Sequence, residues 1–176
     1  WEELITNPRA VHWHSDECYL REPNKATALY CIKNPSTGGG TIFANMYKAY
    51  KTLPDDIKKV VDGKKAIHSY GAYDRQVVPL KENENSLDIA HPVFRTHPVT
   101  GKKSIFVNSA RTEYIVDMNR QESKDILSRI YKHSLNPKFQ ASHNHKPGDV
   151  TIWDNRCTFH RSVGKCNVKE ERLLYS

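Results

Sequence analysis

The segment Val11-His12-Trp13-His14-Ser15-Asp16 sets an imidazole two residues before a carboxylate. Its short, aromatic, alternating pattern predicts a β-strand over residues 11–20, and on a strand residues two apart share a face. His14 and Asp16 would then stand side by side as metal ligands. Two ligands hold a metal weakly, so a third must come from elsewhere. His160, which closes the run Trp153-Asp154-Asn155-Arg156-Cys157-Thr158-Phe159-His160, is the candidate. Two imidazoles and one carboxylate on one face leave the opposite positions open, the donor set of non-haem Fe(II) oxygenases. A plainer reading stands beside this one. A His near an Asp also makes an ordinary buried pair, and His160 next to Arg161 also reads as a surface histidine. His12 shares the parity of His14 and is a rival ligand. Without Asp16 that pair would lack a carboxylate, which places His12 in the pocket wall or behind the ligands.

Further blocks follow in order: Gly38-Gly39-Gly40-Thr41, then His91-Pro92-Val93-Phe94-Arg95-Thr96-His97-Pro98-Val99-Thr100-Gly101, then the Trp153-to-Arg156 run, then Arg172 twelve residues after His160. With these blocks the chain resembles, from about Val11 to its end, the taurine dioxygenase family of Fe(II)- and 2-oxoglutarate-dependent oxygenases. The resemblance implies Fe(II) held by His14, Asp16 and His160, 2-oxoglutarate as cosubstrate, and O2. It implies hydroxylation of a small organic anion, a sulfonate, sulfate ester or carboxylate, with release of succinate and CO2. It also makes Arg172 the anchor of the far carboxylate of 2-oxoglutarate, where a planar, permanently charged fork suits the ligand, with Thr41 adding a hydroxyl donor. The residues alone leave alternatives: an Arg172 salt bridge to Glu170 or Glu171, and a Thr41 that merely fits a strand. One departure is visible. Sulfonate and chlorophenoxy enzymes of the family carry a second, substrate-gripping arginine four residues after the cofactor arginine, and Ser176 stands there. Two other function classes share these features, a non-catalytic jelly-roll binding domain and a metal-assisted hydrolase using the same three ligands.

With 176 residues, 27% charged and 38% hydrophobic, the chain is expected to be one soluble globular domain spanning residues 1–176. It starts at Trp1 and ends on Leu173-Leu174-Tyr175-Ser176, which looks like a strand cut short, so a piece incomplete at both ends is expected. The net charge of +7 comes from scattered pairs such as Lys58-Lys59, Lys64-Lys65 and Lys102-Lys103, the pattern of a solvated surface rather than a nucleic-acid module. No apolar run spans a bilayer. Cys18, Cys31, Cys157 and Cys166 form no Cys-x-x-Cys pair, which fits reduced thiols and a cytoplasmic setting. Cys18 has the strand parity of His14 and Asp16 and is expected as a small apolar filler. A small-molecule substrate is the expected partner, with no nucleic acid and no membrane; a homo-oligomer is compatible with the sequence.

The elements that must position these residues are mostly short strands. Strands are expected over 27–33, 41–44, 65–70, 92–97, 103–107, 139–143, 149–153 and 171–176. Asn45 caps a helix over 46–52, Pro54 opens another that Gly63 stops, and residues 120–133 form the clearest helix. Ile126, Leu127, Ile130 and Tyr131 share one face of it, which reads as core. The glycine run 38–40 lacks the P-loop ending and reads as close backbone approach or φ > 0. Residues 70–85 are polar and irregular, and an active-site cover is expected there. Asp154 and Asn155 are expected to shape the turn that delivers His160. His68, His91, His97, His133, His143 and His145 match no ligand spacing and are expected to be structural or surface. Many strands and few helices predict a β-sandwich or jelly roll. The family resemblance sharpens this to a mainly β fold with flanking helices around a double-stranded β-helix, cupin-like core.

Overall fold

The computed structural model describes residues 12–70, 89–164, 167 and 169–176. The expected cover over 70–85, except Tyr70, lies outside the described residues, as do Cys166 and residues 1–10. Eleven strands, three α-helices and one 3-10 turn (Pro137–Phe139) make up the described fold. In chain order they are β1 (Ala26–Lys33), β2 (Thr41–Asn45), α1 (Met46–Lys51), α2 (Asp55–Val61), β3 (Lys65–His68), β4 (Ile89–Pro92), β5 (Phe94–Thr96) and β6 (Lys103–Ile105). There follow β7 (Thr112–Ile115), α3 (Arg120–Ser134), β8 (Gln140–His143), β9 (Val150–Asp154), β10 (Thr158–Ser162) and β11 (Leu173–Tyr175). Two three-stranded antiparallel sheets carry the site, β11-β1-β9 and β10-β2-β8. The four strands β8 to β11 therefore alternate between β2 and β1 as partners. A third sheet, β4-β3-β7, and the hairpin β5-β6 complete the strands.

Local chemistry explains the helices. The Asn45 side chain accepts from the Lys48 amide at 3.0 Å, and Asn119 does the same for Glu122 at 2.9 Å. Asp55 and Asp56 lie in the first turn of α2, where the helix dipole favours them. Leu127 and Ile130 of α3 are buried, and Ile126 and Tyr131 pack against the same core, so that face is core as expected. The core also takes Met46, Ile57, Val61, Val93, Ile105, Val107 and Phe159. Many surface cations face carboxylates: Lys103 Nζ lies 3.0 Å from Asp62, Lys58 Nζ lies 3.4 Å from Asp55, and Lys33 pairs with Glu171. The basic excess is thus partly a solvated ion-paired surface. Among the described residues no helix is long and apolar enough to cross a membrane.

Several boundaries differ from the sequence reading. The expected strand over 92–97 is split, because Val93 separates β4 from β5 and its amide bonds Lys64 O at 3.0 Å. The expected strands around the Lys146-Pro147-Gly148 turn belong to different sheets, β8 to β2 and β9 to β1. Strands β7 and β10 had no clear signal of their own. The largest correction concerns residues 11–20. His14 forms only an isolated bridge, and residues 16–19 are a turn closed by the Leu20 amide on Glu17 O at 2.9 Å. Glu17 has φ +50°, which no strand tolerates. Strand parity therefore does not operate beyond Ser15. Cys18 is fully buried, does not border the site cavity, and takes a hydrogen bond from Asn108 Nδ2 at 3.3 Å. Burial pushes its thiol up to about 11, which suits an inert filler.

Candidate active site

A bridge between distant segments brings the two histidines together. The His14 amide donates to His160 O at 3.1 Å, and the His160 amide donates to His14 O at 2.9 Å. Residues that exchange both bonds in an antiparallel pair put their side chains on the same face. The rings accordingly stand 4.3 Å apart between centroids. β10 holds His160 by pairing it with Phe43 of β2, and Trp153 packs against its ring at 4.7 Å. The turn after Ser15 then folds Asp16 back beneath both imidazoles. Its Oδ1 lies 3.6 Å from His14 Nε2 and 3.4 Å from His160 Nε2. The face predicted from strand spacing exists, but a turn builds it.

Hydrogen bonding around this trio decides what it can hold. His14 Nδ1 lies 2.7 Å from His12 O, and a carbonyl can only accept, so Nδ1 carries the hydrogen. On the neutral ring that metal ligation requires, the Nε2 of His14 is then a bare lone pair. It faces a carboxylate oxygen, which is also an acceptor. Acceptors converging at these distances call for a cation between them. Two imidazole nitrogens and one carboxylate oxygen, all within 4.8 Å of one another, therefore fit a divalent metal. The other oxygen, Asp16 Oδ2, accepts from Thr27 Oγ1 at 2.6 Å, leaving Oδ1 for the centre. Burial pushes the Asp16 carboxyl up, but the positive partners that His14 and His160 become when a proton takes the cation's place, and the Thr27 hydroxyl, outweigh it, so the carboxyl sits well below its usual range. Burial also lowers His160, with Asp16 opposing, which favours the neutral imidazole a metal needs. His12 contributes its carbonyl, the supporting place expected for it.

Asn155 ties the two halves together. Its Nδ2 donates to Thr27 Oγ1 at 2.8 Å and its Oδ1 accepts from Trp153 Nε1 at 3.0 Å. Its backbone oxygen accepts from Ser15 Oγ at 2.7 Å. One amide thus locks the β9–β10 turn to the Asp16 turn. Asp154 fixes the same turn: its carboxylate takes Arg156 Nε at 2.8 Å, Arg156 Nη2 at 2.6 Å and His97 Nε2 at 2.9 Å. His97, Asp154 and Cys157 cluster closely enough to suggest a second metal. However, His97 Nδ1 accepts from the Val99 and Thr100 amides at 3.2 Å, so its Nε2 carries a hydrogen and donates it to Asp154. That cluster is a closed structural bracket. Asn155 and Thr27 were not recognised as site residues in the sequence, where they read as a turn former and a strand threonine.

A cavity of about 660 Å³ opens beside the trio, and His14, Asp16, His160, Thr41, Arg172 and Ser176 all border it. That volume suits small ligands. The glycine run has a definite role. Gly38 and Gly39 have φ +77° and +72°, and a Cβ on Gly40 would lie 2.6 Å from His143 O. The Gly39 carbonyl accepts from Arg172 Nε at 3.0 Å, so the run helps aim the arginine. Glu171 pairs with Lys33, while Glu170 accepts from Ser36 Oγ at 2.7 Å. Thr41 Oγ1 lies 2.9 Å from His145 Nε2, a contact that no spacing in the sequence revealed.

Comparison with known proteins follows the same lines. The family model described as "Taurine catabolism dioxygenase TauD, TfdA family" matches residues 3–175. A Schizosaccharomyces pombe protein named as a candidate alpha-ketoglutarate-dependent sulfonate dioxygenase is 36% identical over 93% of this chain and 42% of its own. The alpha-ketoglutarate-dependent 2,4-dichlorophenoxyacetate dioxygenase of Burkholderia sp. strain RASC is 33% identical over 90% of this chain and 54% of its own. The chain thus spans about half the length of these curated relatives. Among solved structures, AAD-2 in complex with Mn(II) and N-oxalylglycine superposes with a TM-score of 0.85 at 29% identity, over 97% of this chain and 69% of that one. A taurine dioxygenase from Burkholderia xenovorans gives 0.78 at 26% identity, over 94% and 57%.

Proposed function

Because this chain belongs to the taurine catabolism dioxygenase TauD, TfdA family, we propose that it carries the catalytic site of an Fe(II)- and 2-oxoglutarate-dependent dioxygenase. The substrate class is a small organic anion, a sulfonate, sulfate ester or carboxylate, and the core is a double-stranded β-helix. The alternation of β8 to β11 between two sheets supports that architecture. A single observation carries the functional reading. Three potential ligand atoms, one each from His14, Asp16 and His160, converge on the wall of the cavity that Arg172 and Thr41 also border.

His14, Asp16 and His160 would hold the metal. When bound, Fe(II) supplies the oxidative decarboxylation of 2-oxoglutarate to succinate and CO2, coupled to substrate hydroxylation. The chain's own residues do the positioning. Thr27 and the His12 carbonyl fix Asp16 and His14 in their ligand orientations. Arg172 meets the far carboxylate of the cosubstrate, and Thr41 offers a hydroxyl beside it. Trp153 and Phe43 wall one side of His160 with apolar surface. Succinate formation by the full-length protein supplied with Fe(II), O2, 2-oxoglutarate and a panel of sulfonates, sulfate esters and carboxylic acids tests the proposal. Substrate-stimulated succinate is expected. A binding domain or a hydrolase would form none.

A further inference from the structure

Behind Thr41 stands an imidazole that the reading above leaves without a role. His145 is 3% exposed and lies between β8 and β9. Its Nε2 is 2.9 Å from Thr41 Oγ1, and its Nδ1 is 3.3 Å from Thr151 Oγ1. His143 packs edge-on against it, with ring centroids 4.9 Å apart. Burial, His143 and Arg172 all disfavour charge on His145, and only Asp149 favours it, so the ring is held neutral. A neutral ring carries one hydrogen, and its position sets what Thr41 can do.

With Nε2 bare, the single hydroxyl hydrogen of Thr41 would point at His145. Only oxygen lone pairs would then face the cavity, and they would repel a carboxylate. With the hydrogen on Nε2, His145 donates to Thr41 Oγ1, and the threonine hydrogen is released toward the cavity. Thr151 completes this arrangement, since its hydroxyl can donate to the bare Nδ1. We infer that His145 is a positioning residue that turns the Thr41 hydroxyl into a donor for the far carboxylate of 2-oxoglutarate. The inference rests on the proposed cosubstrate site. His145 itself does not border the cavity and acts through Thr41 alone.

Calorimetric titration of 2-oxoglutarate into the full-length, Mn(II)-loaded protein tests this, using His145→Phe, His145→Gln, Thr41→Val, the His145→Phe/Thr41→Val double variant and Arg172→Ala. His145→Phe is expected to weaken 2-oxoglutarate about tenfold, the size of one net hydrogen bond. Mn(II) affinity should not change. The double variant should be no weaker than Thr41→Val alone, because both remove the same donor. His145→Gln should recover most of the loss, since its amide N–H can donate to Thr41. Parent-like binding by His145→Phe, multiplicative losses in the double variant, or a Gln variant as weak as Phe would each overturn the inference while leaving the cosubstrate site standing. If Arg172→Ala binds 2-oxoglutarate as the parent does, or the parent does not bind it, the site itself fails and the inference with it.

Discussion

Thr27→Val removes the hydrogen bond donated to Asp16 and the acceptor used by Asn155 Nδ2, while keeping the side chain's shape. The hydroxyl donates to Asp16 Oδ2 at 2.6 Å and accepts from Asn155 Nδ2 at 2.8 Å. A hydrogen bond to a charged group contributes about 1.5–3 kcal/mol. Its loss frees the carboxylate to rotate away from the position in which Oδ1 faces both imidazoles. Converted to affinity, the loss is about 10- to 100-fold, the range seen when outer-shell partners of metal ligands are removed. The assay is Mn(II) titration of the full-length protein, reading free Mn(II) by electron paramagnetic resonance. Thr52→Val is the control, since that hydroxyl bonds Lys48 O on α1, away from the site. A folded Thr27→Val protein that binds Mn(II) as tightly as the control would refute the reasoning, because Asp16 would then need no such support.

Three further outcomes are expected. Arg172→Ala should raise the apparent 2-oxoglutarate constant at saturating iron, by the equivalent of about 2–5 kcal/mol if the carboxylate stays buried; Arg172→Lys should recover only part, since a point charge cannot replace the fork. The second concerns His68, whose Nε2 is buried without a partner among the described residues and whose pKa burial pushes down to about 3. Below its ordinary value of 6.5 the unfolded chain takes up a proton and the folded one does not, so stability should fall as pH drops from about 6.5 toward 3. The slope is up to about 1.4 kcal/mol per pH unit, and thermal unfolding of His68→Phe should show a flatter acid limb than the parent. Taurine should be a poor substrate, since Ser176 borders the cavity at the position where the family resemblance implies a second, anion-gripping arginine; sulfite release at a rate matching the best substrate would contradict this.

The candidate trio was legible because types and order along the chain survive any error of local geometry. His14, Asp16 and His160 do converge, although the strand expected to align the first two is a bridge and a turn. Periodicity could not show this, since Val11 to Leu20 alternates well enough to mimic a strand. The turn depends on Asn155, 139 residues away, which accepts from the Asp16 amide at 3.4 Å. The strongly periodic helix at 120–134 and the Asn45 cap were legible because their determinants are local. His145 was not, because its meaning lies in its contact with Thr41, 104 residues away in the chain. The glycine run was read correctly as a backbone device, but its service to Arg172 needed the fold.

The central claim is that His14, Asp16 and His160 form one metal centre. Anaerobic Fe(II) titration of the full-length protein and of His14→Ala, Asp16→Ala and His160→Ala tests it most directly, with circular dichroism confirming that each variant is folded. One Fe(II) should bind per parent chain, with a large loss of affinity in each variant. Parent-like iron binding in all three folded variants would contradict it.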